Sequence, residues 1–241
     1  MGLFTHVLQE LANRNEFFSK GFMENAAVPK PMIKKSERLL EIKALAEKKK
    51  PHLLKFGKMC HLKEFCLQIS LASSFNDPSL NVAQMDDEMK AIFHPPLNEI
   101  KITDMAGKAI HGIKSVELSL QIDREYYIFC SAHTFDYRLF GDFDADCCLF
   151  IYNSQRFSED LVRELNNQVE LEDYAFKSVE YLDPIKPEKN KPIQIEFHKH
   201  LKYCYQNEFR HVFIPRCRPS VAKKKYVYLP QLVQYSELIR L

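Results

Sequence analysis

Apolar and polar positions alternate by two along residues 205–214. The alternation puts Gln206, Glu208 and Arg210 on one side of an expected strand and Phe209, His211 and Phe213 on the other. Two near-continuous apolar runs, 126–130 and 147–152, read as central strands covered on both faces. Residues 98–103 and 110–121 flank Met105, Ala106, Gly107 and Lys108 and predict a hairpin. Short apolar stretches at 53–56 and 60–69 lie around Gly57, and 174–182 and 225–229 complete the expected strands. Helical spacing is cleanest over 154–168, where Phe157, Leu161 and Leu165 recur every four residues. Between the two central strands, 135–146 is aromatic and acidic and reads as a short helix or a loop over the sheet.

Two more helical patterns lie near the start. Residues 3–20 carry Phe4, Val7, Leu8 and Leu11 on one face; a second helix, capped by Ser36, carries Leu39, Leu40, Ile42 and Leu45 and is halted by Pro51. The expected organisation is an N-terminal helical module over 1–50 and a core domain over 51–241. Many hairpin-type segments with few helices between them predict an α+β fold with mixed, mainly antiparallel sheets.

Composition narrows the function classes only a little. A hydrophobic fraction of 46% and a charged fraction of 27% are ordinary for a globular chain. A formal charge of +2 provides no global field for nucleic acid or acidic lipid. No apolar run is long enough to span a membrane, and the first residues lack a basic, then apolar, leader, so a cytoplasmic protein is expected. The seven cysteines include no Cys-x-x-Cys pair, which fits free thiols in a reducing compartment.

Three clusters carry candidate chemistry. The strand ending Phe129, Cys130, Ser131 brings a hydroxyl to the surface just before the aromatics Phe135 and Tyr137. Glu208, beside Arg210 at the mouth of a buried strand, is a carboxylate able to stabilise an oxocarbenium-like charge; its plain alternative is a structural ion pair. His198, His200 and Cys204 lack the usual zinc spacing, so no metal is expected. Arg216, Arg218, Lys223, Lys224 and Lys225 with Tyr226 and Tyr228 form a basic-aromatic stretch, read either as a nucleic-acid contact or as a solvated approach to an edge strand. The acidic stretch Asp86, Asp87, Glu88 reads as exposed. Walker-type, nucleophile-elbow and His-Glu-x-x-His motifs are absent from the sequence.

The order of Phe129, Cys130 and Ser131 followed by Gln206-x-Glu208 on a late strand resembles the ADP-ribosyltransferase fold in its Arg/His–Ser–Glu form. The resemblance spans about residues 52–215 and rests on short motifs. It implies NAD as substrate, with Glu208 polarising the nicotinamide ribose and Gln206 positioning an acceptor. Ser131 would support the sugar, His61 (or, competing, His52) the adenosine side, and Phe135 or Tyr137 would stack on nicotinamide. Segments around Ser74–Pro78 and Tyr205–Arg210 are also similar to a large bacterial and phage family, some of it tied to anti-phage defence, which implies a toxin or defence effector. The alternative is a non-catalytic bacterial or phage binding protein that grips a protein or nucleic-acid partner.

Overall fold

The computed structural model describes residues 43–44, 52–81, 83–185, 192–219 and 224–240. The expected 1–50 module lies outside these residues, except for Lys43 and Ala44, which are helical. The described chain is α+β and mainly antiparallel, as expected. Its strands are β1 (Leu53–Gly57), β2 (Cys66–Leu71), β3 (Lys90–Phe93), β4 (Leu118–Gln121), β5 (Tyr127–Ala132), β6 (Cys147–Ile151), β7 (Leu171–Ser178), β8 (Glu180–Leu182), β9 (His198–His200), β10 (Glu208–Pro215), β11 (Lys224–Tyr228) and β12 (Ser236–Arg240). Helical turns α1 (Met59–Leu62) and α2 (Arg138–Asp142) and the longer α3 (Ser154–Asn166) complete it, with several 3-10 turns.

Eight strands form one sheet that forks at β5. One edge of β5 takes β10, which in turn takes β7. The other edge is shared: β2 pairs with the start of β5 (Leu71↔Tyr127) and β1 with its end (Leu54↔Ala132). From there β1 leads to β6 and β12, and β2 leads to β11. Directly opposed residues of an antiparallel pair share a face, so the registers divide the sheet. One face carries Tyr127, Phe129, Ser131, Phe209, His211 and Phe213; the other carries Ile128, Cys130, Ala132, Glu208, Arg210 and Val212.

The first face is the main core. α3 lays Phe157, Leu161 and Leu165, all fully buried, against Phe129, Leu149 and Phe213. Each such side chain contributes roughly 1.5–3 kcal/mol by removal from water. Asn153 starts the helix: its side chain accepts a hydrogen bond from the Arg156 N–H and so satisfies an otherwise unpaired donor. The second face is covered by a smaller cluster of Ala72, Tyr126, Ile128, Phe197 and Val212, and by Lys199 of β9.

Several expectations shift in detail. Residues 60–62 belong to α1 rather than to a strand; the chain reverses at Phe65, whose φ is +52°, before β2 begins. The expected hairpin around Gly107 is present as an isolated bridge, Thr103↔Ala109, with Gly107 at φ +81°, a conformation glycine takes without strain. Its paired arms lie further out, where β3 and β4 form a separate two-stranded ribbon.

Candidate functional site

The alternation read from 205–214 holds from Glu208 onward. Gln206 is not part of the strand: it ends a 3-10 turn, and Asn207 at φ +42° turns the chain into β10. Left-handed backbone at a non-glycine position is best tolerated by Asn and Asp. Glu208 and Arg210 then point together to the second face, away from the aromatic core.

There they form half of a buried four-charge cluster. Arg210 is fully buried; its Nε donates to Glu208 Oε1 at 2.5 Å, and its two terminal nitrogens reach the Glu88 carboxylate at 2.6 and 2.8 Å. Lys199 Nζ lies 3.0 Å from Glu208 Oε2 and 3.6 Å from Glu88 Oε1. The remaining Arg210 donor capacity goes to the backbone oxygens of Glu196 (3.0 Å) and His198 (3.4 Å). Two anions and two cations thus sit within ion-pair distance, each largely excluded from water. The Glu208 backbone N–H donates to the Tyr181 hydroxyl at 2.8 Å, and Tyr126 donates its hydroxyl to the Glu88 carbonyl.

Electrostatics follow from that arrangement. Burial alone would raise the Glu208 carboxyl, but the Arg210 guanidinium and the Lys199 ammonium outweigh it and hold the group well below the usual carboxylate range. Burial pulls Lys199 down and the two carboxylates push it up, with a net rise. Glu88 moves the other way, raised by burial and by the neighbouring Glu208 charge beyond what Arg210 and Lys199 recover. Neither member of the Glu208–Arg210 pair is near a pKa suited to proton transfer at neutral pH.

The other expected site residues are dispersed. Ser131 is buried on the opposite face from Glu208, because it pairs with Phe209 and not with Glu208, and its hydroxyl donates to the Phe209 carbonyl at 3.2 Å. Gln206 is buried and its amide donates to the Ala83 carbonyl at 2.9 Å. His61 lies exposed on α1, not on a first strand, and the competing His52 is buried and stacked on Phe150. Phe135 packs in a buried aromatic group with Phe56 and Phe140, and Tyr137 meets its edge at 5.2 Å. The expected common hollow for Ser131, Glu208 and a dinucleotide is therefore not the arrangement found: the sheet itself separates the two side chains.

Two members of the cluster were missed in the sequence. Glu88 was expected to be exposed with Asp86 and Asp87, yet it is 4% accessible. Lys199 sits in a stretch whose local pattern was ambiguous, and it becomes part of β9 only by parallel pairing to β8. Of the histidine-cysteine group, His198 faces Glu180 at 3.3 Å while Cys204 is exposed. Among the described residues, no three His, Cys, Asp or Glu side chains gather as a metal site, and no helix is long and apolar enough to cross a membrane.

The basic-aromatic stretch has a clear geometry. On β11, Lys224, Tyr226 and Tyr228 share one face, opposite Ser70, Gln68 and Cys66 of β2. Tyr226 and Tyr228 are 52% and 59% accessible, while Val227 between them is fully buried. β11 is an outer strand of the sheet, and Arg216 and Arg218 are exposed. No protein-family model, no curated protein and no solved structure matches this chain.

Proposed function

We propose that this chain is a non-catalytic binding protein that grips a protein or nucleic-acid partner through the β11 edge. The observation that carries the reading is the pair Tyr226 and Tyr228, held side by side in water by a strand whose intervening residue is locked in the core. Lysines on an edge strand have a sufficient explanation in preventing strand-to-strand aggregation. Two tyrosines on the open face do not, since each leaves a large ring wet. Rings spaced by two on a strand, with Lys224 on the same face, suit stacking on bases or packing against a protein surface.

The NAD-using effector reading asks Glu208 to face a hollow together with Ser131. The support for binding over chemistry is that Glu208 is spent on Arg210 and Lys199, on the far side of the sheet from Ser131. Incubating the wild-type protein with labelled NAD and lysate tests this directly: no label transfer and no nicotinamide release is the expected result. Turnover lost in Glu208→Gln, with folding retained by circular dichroism, would overturn the proposal. For binding, Tyr226→Ala with Tyr228→Ala should abolish partner retention while leaving the melting temperature unchanged. A steep loss of affinity with salt assigns the partner as nucleic acid, and a flat dependence assigns a protein.

A further inference from the structure

We propose that the β3–β4 ribbon is a self-association arm, through which two copies of this chain pair β4 against β4 across a two-fold axis at Ser119. Its basis is separate from the β11 surface and does not depend on that reading.

The ribbon is an unusual element to leave in water. Among the described residues β3 and β4 pair only with each other, and an isolated two-stranded ribbon is marginal by itself. Opposed residues place Ala91, Phe93, Leu118 and Leu120 on one face. Phe93 is buried at the end of β3 away from Glu88, where the neighbouring His94 N–H donates to the Pro184 carbonyl, but Leu118 and Leu120 are 51% and 41% accessible. Every residue of β4 is exposed. Exposed leucines beside an unpaired strand edge form the template that natural proteins usually blunt with charge or proline.

The sequence of this edge says what fits it. Residues 116–122 read Val, Glu, Leu, Ser, Leu, Gln, Ile, a near-palindrome about Ser119. Antiparallel pairing of two copies centred on Ser119 sets Leu118 opposite Leu120, Glu117 opposite Gln121 and Val116 opposite Ile122. Every apolar side chain then meets an apolar one on one continuous face. Glu117 is the lone charge in the span, and it meets an amide. Sliding the centre by two, to Glu117, would put that carboxylate opposite itself, which is unfavourable.

Backbone direction agrees. The Ile122 N–H donates to the Met89 carbonyl at 2.9 Å, so position 122 is bonded toward β3. Strand alternation then directs Leu120 and Leu118 to β3 as well, and sends the N–H and C=O of Glu117, Ser119 and Gln121 to the open edge. These are the positions that the two-fold register pairs with one another. The product is a four-stranded sheet, β3-β4-β4-β3, with an isologous interface. The contact is short, which places the association in the micromolar range.

Sedimentation velocity on the full chain, from about 1 to about 200 µM, should show a monomer–dimer equilibrium. Ser119→Pro removes an N–H that β3 does not use, so folding should persist while dimer affinity drops at least about tenfold; Leu120→Lys should act likewise. Ser119→Cys places two thiols on the axis, at the spacing a disulfide needs, whereas Glu117→Cys places them on the order of 14 Å apart. Mild oxidation should therefore cross-link the first variant faster than the second or the wild type, whose native thiols give the background. A wild type that stays monomeric across this range would overturn the proposal. So would a dimer indifferent to Ser119→Pro, or equal cross-linking at positions 117 and 119.

Discussion

His211 should make this protein acid-labile well above the range in which carboxylates titrate. The ring is fully buried on the core face of β10, among Phe209 (5.2 Å between centroids), Phe157 (5.4 Å), Phe176 (5.5 Å) and Phe129 (5.8 Å). Its one polar contact is Nε2 to the Ser158 hydroxyl at 2.8 Å. That hydroxyl has a single proton and donates it to the Ser154 carbonyl at 2.8 Å, so Nε2–H must be the donor to Ser158. Nδ1 is then a bare acceptor, with no hydrogen-bond partner. An unfilled lone pair is the cheaper of the two ways to leave a nitrogen alone. Protonating it would create a cation in an aromatic box, and burial accordingly pushes the His211 pKa down to about 3.

The sign and the window follow. The unfolded chain takes up a proton near pH 6.5, and the native state does not until about pH 3. Below pH 6.5 stability should fall by about 1.4 kcal/mol per pH unit, reaching a loss of about 3 kcal/mol at pH 4 and about 4 kcal/mol at pH 3. That is a large part of the roughly 5–15 kcal/mol typical of a domain. His211→Phe isolates the effect, because it keeps an aromatic ring in the box and leaves Ser158 bonded to Ser154. The chain has no Trp, so urea unfolding is best followed by far-ultraviolet circular dichroism at pH 7.5, 6, 5 and 4. Mutant and wild type should differ by no more than about 1 kcal/mol at pH 7.5, and the mutant should gain about 3 kcal/mol on the wild type by pH 4. A difference that stays flat across this range would refute the assignment of a buried neutral imidazole.

Two further substitutions test the frame around the site. Arg210→Met leaves Glu88 and Glu208 buried without their main partner, and should lower stability by about 3–5 kcal/mol in urea unfolding; a loss below about 1 kcal/mol would mean that the cluster is solvated. Asn153→Ala removes the cap of α3 and should cost about 1 kcal/mol, read as a lowered melting temperature with native circular dichroism.

Local pattern was legible wherever one residue type dictates the outcome. Phe157, Leu161 and Leu165 announced α3 because four-residue spacing puts them on one buried helical face, and the apolar runs announced β5 and β6 because a short strand covered on both faces is apolar throughout. What escaped was set by distant pairing. Residues 60–62 are apolar enough for a strand, yet they turn as a helix because β1 must reverse before β2 can share the edge of β5. Glu88 carries two acidic neighbours and looks solvated; only the fold brings Arg210, 122 positions away in sequence, to its carboxylate. The palindrome at Ser119 was in plain view, but it means something only once β4 is seen to pair, among the described residues, with β3 alone.

The Glu208-x-Arg210 spacing illustrates why a structural cluster and a catalytic one can be written alike. Both need a carboxylate and a cation on one face of a strand, and a spacing of two is the shortest that provides it. The two cases part at the next shell of charge. A working carboxylate keeps an exposed side or an unsatisfied partner, so that charge developing on a substrate finds it available. Here the second oxygen of Glu208 is taken by Lys199, and the far side of Arg210 is taken by Glu88. The four groups neutralise one another and tie together three segments: the root of the β3–β4 ribbon at Glu88, the β9 cover at Lys199, and β10. Loss of any one should therefore loosen the ribbon root and the cover before it touches the aromatic core across the sheet. Hydrogen exchange on Arg210→Met can separate these events: amides of β3, β9 and β10 should lose protection while those of α3 and β6 keep it. Uniform loss across both faces would show that the cluster supports the whole sheet and not this junction.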